Sequence, residues 1–169
     1  METVLRPAGE FIDAAHAILR HERARLAGLL AGHELVLVGG SSVPGAVTKG
    51  DVDLHLRVPA ADFDSTVAAL RAVYRVVHPE IWQPSLATFA VEAALPTGVA
   101  VTPIGSEHDL RFSRSWRLLS ADPDLLRAYN EVKQRHQHSA DYEQRKSAFF
   151  DRLLELWPEH PAGGGSRTQ

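Results

Sequence analysis

The chain has 169 residues, of which 44% are hydrophobic and 23% charged, a composition typical of one globular domain with a core of its own. A net charge of -3 gives no bulk positive field for holding nucleic acid or an anionic membrane. The absence of cysteine excludes disulfides, thiolate metal sites and cysteine nucleophiles. The N-terminal residues lack the apolar core of a signal peptide and no long apolar run is present, so we expect a cytoplasmic protein.

The N-terminal part of the sequence predicts a helix and then a buried strand. Pro7 and Glu10 mark the start of the helix and Gly32 its end, because these residue types favour a first turn and a stop, respectively. The apolar residues between them recur at helical spacing: Phe11, Ala15, Ile18, Leu19, Leu26, Leu29 and Leu30. The short apolar run Glu34–Val38 is typical of a buried strand.

A loop rich in glycine and serine, residues 39–50, leads to a second strand at residues 51–58. Polar and apolar residues alternate strictly in this strand, as expected when one face lies on a core. The polar face carries Asp51, Asp53, His55 and Arg57. Pro59 begins a second helix, whose apolar stripe consists of Phe63, Val67, Leu70 and Tyr74.

The remainder predicts a hairpin followed by helices. Residues 88–95 and 99–104 flank a Pro-Thr-Gly turn, which indicates two antiparallel strands. From Glu107 the pattern is helical, with breaks at residues 121–123 and near residues 138–139. Mixed helices and strands with a hairpin indicate the α+β (mixed α/β) class. We expect one domain over residues 1–158, and residues 159–169 have the composition of a flexible tail.

Two carboxylates carry the main functional signal. Asp51 and Asp53 lie two residues apart on one strand, so their side chains point to the same side. Their repulsion is costly on a face that helices partly cover, unless a cation lies between them. Mg²⁺ is the expected cation, because it commonly binds one or two carboxylates together with substrate phosphates. A solvated strand face is the alternative interpretation.

The loop that precedes these carboxylates is suited to phosphate. Gly39 and Gly40 allow close approach of the backbone, and Ser41 and Ser42 add hydroxyl groups. Loop and carboxylates together predict a site for a metal and a phosphate, whereas either pattern alone is weak. The same glycines also indicate a tight turn, which is compatible with phosphate binding.

These motifs resemble a known superfamily and one family within it. A hydrophobic residue and two glycines at residues 38–40, followed by the acidic-hydrophobic-acidic strand 51–53, resemble the signature of polymerase-β-type nucleotidyltransferases. The sequence GGSSVPG at residues 39–45, with Lys49 and Asp53, resembles the corresponding loop of the GrpB family (UPF0157).

The C-terminal part carries a second likeness to the same family. Tyr129 with Lys133, and Tyr142 with Lys146 before Ser-Ala-Phe, resemble the two Tyr-x-x-x-Lys segments of GrpB proteins. The resemblance covers residues 35–150 and implies the nucleotidyltransferase fold, a mixed sheet flanked by helices with a helical C-terminal segment. Because the activity of the family is poorly defined, the resemblance does not supply a substrate.

The sequence departs from the family pattern at three places. Residues 98–101, GVAV, stand where the family usually has His-x-His-Val, and residues 115–117, SWR, replace a Phe-Arg-Asp segment. Asp51 adds a carboxylate where the family commonly has an aliphatic residue. At the predicted metal site the sequence is thus closer to the catalytic superfamily pattern, and at the other two places it is further from the family pattern.

Glu92 is the candidate for a third carboxylate, which would hold the metal or activate an acceptor. It is predicted on a strand whose face also carries Thr88, Ala90 and Ala94, small residues that leave room beside a ligand. A glutamate on the surface of a hairpin is the alternative.

Lysines are the candidate contacts for a nucleotide. Lys146 interrupts an apolar helical stripe, so it must reach water or meet an anion such as a triphosphate. Lys133 is expected on a solvated flank of its stripe and is a weaker candidate, and Lys49 lies in the loop where it could touch a phosphate. His55, on the same face as the two aspartates, is a base, a supporting partner or a filler of space.

The favoured hypothesis is an Mg²⁺-dependent nucleotidyltransferase that moves a nucleoside monophosphate from a nucleoside triphosphate, with ATP expected, to a small-molecule acceptor. Such catalysis consists mostly of positioning and electrostatics. The negative net charge favours a small acceptor over a nucleic acid, and no membrane partner is expected. The alternatives are a non-catalytic nucleotide- or metabolite-binding domain of the same fold and, with least support, a folded partner-binding module.

Overall fold

A computed structural model describes residues 4–29 and 32–157 of the chain. These residues form seven strands, five α-helices and four short 3₁₀ helices. The strands are β1 (Arg6–Pro7), β2 (Glu34–Val38), β3 (Val47–Thr48), β4 (Val52–Val58), β5 (Arg75–Val76), β6 (Ala87–Val91) and β7 (Thr97–Pro103). The helices are α1 (Ile12–Leu26), α2 (Phe63–Leu70), α3 (Glu107–Ala121), α4 (Pro123–His136) and α5 (Tyr142–Glu155). The predicted α+β class is confirmed.

Five strands form one mixed sheet in the order β2-β4-β7-β6-β5. β4 is parallel to β7, and the other neighbouring pairs are antiparallel. The short strands β1 and β3 pair separately, with Arg6 opposite Thr48. The alternation predicted for residues 51–58 is confirmed within β4, because Val52, Leu54, Leu56 and Val58 are all buried on one face. The strand begins at Val52, so Asp51 directly precedes it instead of lying on it.

The main core lies between that face and helices α1 and α2. The helical residues Ala15, Ile18, Leu19, Leu26, Phe63 and Leu70 pack there with apolar residues of β4, β6 and β7. Helices α3, α4 and α5 pack on one another around a second, aromatic-rich core of Leu119, Tyr129, Phe149 and Leu153. The opposite face of the sheet, which carries Asp53, therefore faces a helical layer formed by α3, α4 and α5.

Several predicted boundaries change. α1 begins at Ile12 and not at Pro7 or Glu10, because Arg6 and Pro7 pair with β3 and Ala8–Glu10 form a short 3₁₀ helix. α1 ends at Leu26, so Leu29 is exposed and not part of the stripe, and Leu30 lies outside the described residues. α2 ends at Leu70, and Tyr74 is buried just before β5. The predicted tail, residues 159–169, also lies outside the described residues.

The helix breaks lie where the sequence predicts them. The side chain of Asp122 accepts hydrogen bonds from the amides of Asp124 and Leu125, which is the usual role of an N-cap aspartate. Pro123 occupies the first position of α4, where a missing amide proton costs nothing. α4 ends at His136 and α5 begins at Tyr142.

Candidate functional site

A cleft of about 770 Å³ lies between the sheet and the helical layer. This volume is in the range of small-molecule sites, about 300–1,000 Å³. Residues of β4, β6 and β7 line one side, and residues of α3, α4 and α5 line the other. Asp51, Asp53, Gly39 and Gly40 all line this cleft, so the two predicted motifs meet there.

Asp53 is exposed to the cleft, yet protein atoms surround most of its carboxylate. This burial, together with the neighbouring charge of Asp51, raises the pKa of Asp53 from 3.8 to about 6, while the positive charge of Lys146 opposes the rise. Solvent access and a raised pKa are compatible, because a group on a cleft floor touches water on one side only. Asp53 is thus a carboxylate whose charge is only partly neutralised by the protein.

Gly39 fits closely against Asp53. Its φ angle is +79°, a conformation that only glycine adopts at low cost. A Cβ atom at this position would lie 2.1 Å from Asp53 Oδ2, well inside the contact distance. The glycine is therefore required both by the turn and by the carboxylate beside it.

The two serines of the loop use their hydroxyl groups within the loop. Ser41 Oγ donates to the Asp51 carbonyl at 2.6 Å and contacts Thr48 Oγ1 at 3.2 Å. Ser42 Oγ donates to the Gly39 carbonyl at 2.6 Å. Neither serine lines the cleft, so these hydroxyls shape the loop, and the cleft meets the backbone of the glycines.

The prediction that Lys133 lies on a solvated flank is wrong. Lys133 is buried, because its ammonium group turns inward and donates to the Val47 carbonyl. The ammonium also lies 4.4 Å from the centre of the Tyr129 ring. Burial, and secondarily the charge of Lys146, lower the pKa of Lys133 to about 8.

Lys146 and Lys49 converge on one aromatic ring. Their ammonium groups lie 4.5 Å and 4.7 Å from the centre of the Tyr142 ring. Lys146 also pairs with Glu143 at 2.9 Å. Both lysines line the cleft, and their contact with an anion stays a prediction.

Asn130, which no sequence motif marks, fixes the loop from the helical layer. Asn130 Oδ1 accepts from the Val47 amide at 3.0 Å, and Asn130 Nδ2 donates to the Gly45 carbonyl at 2.9 Å. With the bond from Lys133 to Val47, α4 holds the loop through three hydrogen bonds. No local pattern marks Asn130, because its partners lie more than 80 positions away in the sequence.

Glu92 is not brought to the two aspartates. β6 ends at Val91, which pairs with Thr97, so residues 92–96 form the turn, and Glu92 is exposed there instead of lying on a strand. Thr97, placed in the predicted turn, belongs to β7 because the β4 amide of Val52 binds the Pro96 carbonyl and brings this segment to the sheet. Glu92 does not line the cleft, and no cluster of three candidate metal ligands occurs within residues 4–29 and 32–157.

The residues that depart from the family pattern lie around the cleft. Gly98 pairs directly with Asp53, and Ala100 pairs with His55. Gly98, Ala100, Ser115 and Trp116 all line the cleft. The missing histidines therefore leave open space beside Asp53.

His55 takes part in a buried network and does not line the cleft. Its Nε2 atom lies 2.7 Å from Thr102 Oγ1 and 3.6 Å from Asp109 Oδ1. Asp109 in turn receives two hydrogen bonds from Arg57, at 2.6 Å and 2.9 Å. Burial lowers the pKa of His55 to about 4 despite the nearby Asp109 carboxylate, so His55 is neutral and supports the fold between β4 and α3.

A family model described as GrpB protein matches residues 14–156. The chain belongs to the GrpB family. A UPF0157 protein of Vibrio cholerae serotype O1 is 27% identical over 151 residues, which cover 87% of this chain and 79% of that protein. The family prediction is confirmed.

Solved structures with the same fold include GrpB and nucleotidyltransferases. The crystal structure of GrpB from Enterococcus faecalis matches with a TM-score of 0.67 at 16% identity, covering 90% of this chain and 95% of that one. Cid1 poly(U) polymerase with bound Mg 3'-dATP matches with a TM-score of 0.60 at 14% identity, covering 89% and 49%. This GrpB chain therefore has the nucleotidyltransferase fold and spans about half of the length of Cid1. In the described part of the chain, no helix has the length and apolar character needed to cross a bilayer.

Proposed function

We propose that the cleft binds a nucleoside triphosphate with Mg²⁺ and transfers its nucleoside monophosphate to a small-molecule acceptor. The observation that carries this proposal is the meeting of Asp51 and Asp53 with Gly39 and Gly40 in one cleft. Support also comes from charge. Five cationic side chains line the cleft, Lys49, Arg75, Arg111, Lys133 and Lys146, against three carboxylates, although the whole chain has a net charge of -3.

The residues present fit one Mg²⁺ ion. Asp51 and Asp53 offer two hard oxygen ligands, and Mg²⁺ commonly completes its shell with phosphate oxygens and water. Burial and the charge of Asp51 raise the pKa of Asp53, and a bound cation would favour the ionised form of this carboxylate. When bound, Mg²⁺ withdraws charge from the phosphate oxygens.

The other residues position and neutralise the triphosphate. Gly39 and Gly40 present backbone to the phosphates, and Ser41 and Ser42 hold that backbone in shape. Lys146 and Lys49 supply positive charge from the helical side and the loop. Lys133, with Asn130, keeps the loop in contact with α4.

In the transfer, a hydroxyl or amine of the acceptor attacks the α-phosphorus. The bond from this phosphorus to the bridging oxygen of the β-phosphate breaks, and pyrophosphate leaves with the electron pair. Glu92 does not line the cleft, so it does not take the acceptor proton, which in this proposal is released to the solvent. The net charge of the chain supports a small acceptor and not a polynucleotide.

Calorimetry with ATP, CTP, GTP and UTP, each with and without Mg²⁺, tests the proposal. We expect triphosphate binding that depends on Mg²⁺. Asp53→Asn is expected to weaken this binding at least tenfold, because it replaces a charged metal ligand with a neutral side chain of similar shape. Glu92→Gln is the control and is expected to bind like the wild type, which tests the third-carboxylate hypothesis at the same time. Equal binding by Asp53→Asn and the wild type would refute the proposal.

The position of Glu92 favours a second candidate, a nucleotide-binding domain without transferase activity. Incubation of the protein with α-³²P-labelled ATP, Mg²⁺ and a metabolite extract separates the two. Label in a new product, absent with Asp53→Asn, supports transfer. Tight binding without any labelled product supports the binding domain.

A further inference from the structure

One cross-strand row of residues connects Asp53 with the opposite edge of the sheet. Asp53 pairs with Gly98, Gly98 with Ala90, and Ala90 with Arg75. Directly paired residues project from the same face of a sheet, so all four face the cleft. With strands about 4.8 Å apart, the three steps place the backbones of Asp53 and Arg75 about 14 Å from each other.

The floor between these two residues is almost bare. Ala90 has one methyl group and Gly98 has no side chain. The fold does not require this glycine, because Gly98 is not among the glycines with positive φ. A Cβ atom there would meet only the Phe89 carbonyl oxygen, at 3.7 Å, which is an ordinary contact. The bare floor therefore leaves room for a ligand without serving the turn or the packing.

Arg75 provides an available cation at the far end of the row. It is exposed, lines the cleft and forms no salt bridge to any residue that the structure describes. Arg111, which lines the cleft from α3, is engaged by Asp151 at 2.5 Å and by Ser147 at 3.2 Å. Arg75 thus has its full guanidinium fork available for an anion.

A buried hydroxyl group in the wall of the same cleft also lacks a partner. Ser115 is 1% exposed and lines the cleft from α3. Its Oγ atom has no hydrogen-bond partner among the described residues. A buried unsatisfied polar atom is costly, and a polar group of a bound molecule would satisfy it.

We propose that the second substrate lies across Gly98 and Ala90, with an anionic group bound by Arg75 and a polar group near Ser115. The acceptor is then a small organic acid or phosphate ester that carries a hydroxyl or amine at its other end. Its role as acceptor rests on the proposed nucleotidyl transfer, whereas the anion subsite itself does not. Arg75 fits both anions, because its planar fork matches the oxygens of carboxylate and of phosphate.

NMR of the full chain, without nucleotide or metal, tests the subsite. Inorganic phosphate and acetate are titrated separately, and the backbone amides of Ala90 and Gly98 and the Nε–H signal of Arg75 are followed. We expect these signals to shift together, and the anion with the higher affinity identifies the preferred group. Arg75→Gln is expected to weaken this binding at least tenfold, and Arg75→Lys to weaken it less. Arg20→Gln, an exposed arginine of α1, is expected to behave like the wild type.

Shifts confined to Gly39 and Gly40, or equal affinity in Arg75→Gln and the wild type, would overturn the subsite. The two proposals fail separately. If calorimetry detects no triphosphate binding while phosphate still shifts Ala90 and Gly98, the transferase proposal falls and the subsite stands. If triphosphate binds and neither anion shifts these residues, only the subsite falls.

Discussion

Replacing Asp53 with asparagine is expected to stabilise the fold while it removes metal binding. Burial and Asp51 raise the pKa of Asp53 from 3.8 to about 6, so its ionised form opposes folding at neutral pH. At about 1.4 kcal/mol per pKa unit, a fully buried group would cost about 3 kcal/mol. Asp53 is exposed, and screening by solvent reduces this to about 1 kcal/mol. For a chain of this size, Asp53→Asn should raise Tm by about 2–4 °C.

The pH dependence of this difference has a definite sign. Between pH 3.8 and about 6 the native state holds a proton on Asp53 that the unfolded chain has released, so the wild type gains stability relative to the variant as pH falls. The gain from Asp53→Asn is therefore largest above pH 6, about half as large at pH 5, and absent well below pH 4.

Thermal unfolding at pH 7.5 and pH 5 measures the effect, with Glu92→Gln as the control that should change Tm at neither pH. Mg²⁺ with triphosphate should raise the Tm of the wild type and leave that of Asp53→Asn unchanged. A variant that is less stable than the wild type at pH 7.5, or a gain that grows on acidification, would refute the reasoning.

Three further predictions follow from single contacts. Gly39→Ala should weaken triphosphate binding, measured by calorimetry, more than tenfold, because the added Cβ atom displaces Asp53 Oδ2. Gly105→Ala is the control, because Gly105 has a similar positive φ of +81° but open space around it. This variant should bind triphosphate like the wild type. Asn130→Ala should lower the free energy of unfolding, measured in urea, by about 1 kcal/mol, because it leaves the part-buried Val47 amide without a partner, whereas water can reach the Gly45 carbonyl. Gln134→Ala, exposed on the same helix, should be neutral, and an equal loss in both variants would contradict the role of Asn130 in holding the loop. Asp109→Asn should cost about 1.5–3 kcal/mol, because it removes the charge of a buried carboxylate that accepts two hydrogen bonds from the half-buried Arg57. Glu34→Gln removes the exposed partner of Arg57 and should cost at most about 1 kcal/mol.

Much of the fold could be predicted because its signals are local. The alternation in β4 reports directly which residues face the core, and Asp122 with Pro123 marks a helix start by its own hydrogen bonds. The β6–β7 turn was misplaced because its position depends on β4, whose Val52 amide binds the Pro96 carbonyl. No pattern within the hairpin contains that information.

The part of the candidate site that could be predicted is likewise the part formed by residues close together in the sequence. Asp51, Asp53 and the two glycines are close in the sequence, and their meeting in one cleft follows from a strand–loop–strand unit. The pattern predicts a solvated flank for Lys133, because a helical stripe indicates only which face of the helix is apolar. It contains no information on the Val47 carbonyl, 86 residues away, to which the ammonium group donates. Arg75 gave no signal either, since only the strand order β4-β7-β6-β5 brings it into the row of Asp53.

Asn130 and Lys133 bind α4 to the Gly39–Gly50 loop. Ligand binding at this loop is therefore coupled to the packing of the helical layer on it. A molecule that grips the loop also favours the state in which α4 is seated on it. Amide protons of α4 that never touch the ligand should then exchange more slowly with solvent when the cleft is filled. The helical layer thus contributes to the free energy of ligand binding. Its removal would weaken binding at the loop even if every residue that faces the phosphates were retained.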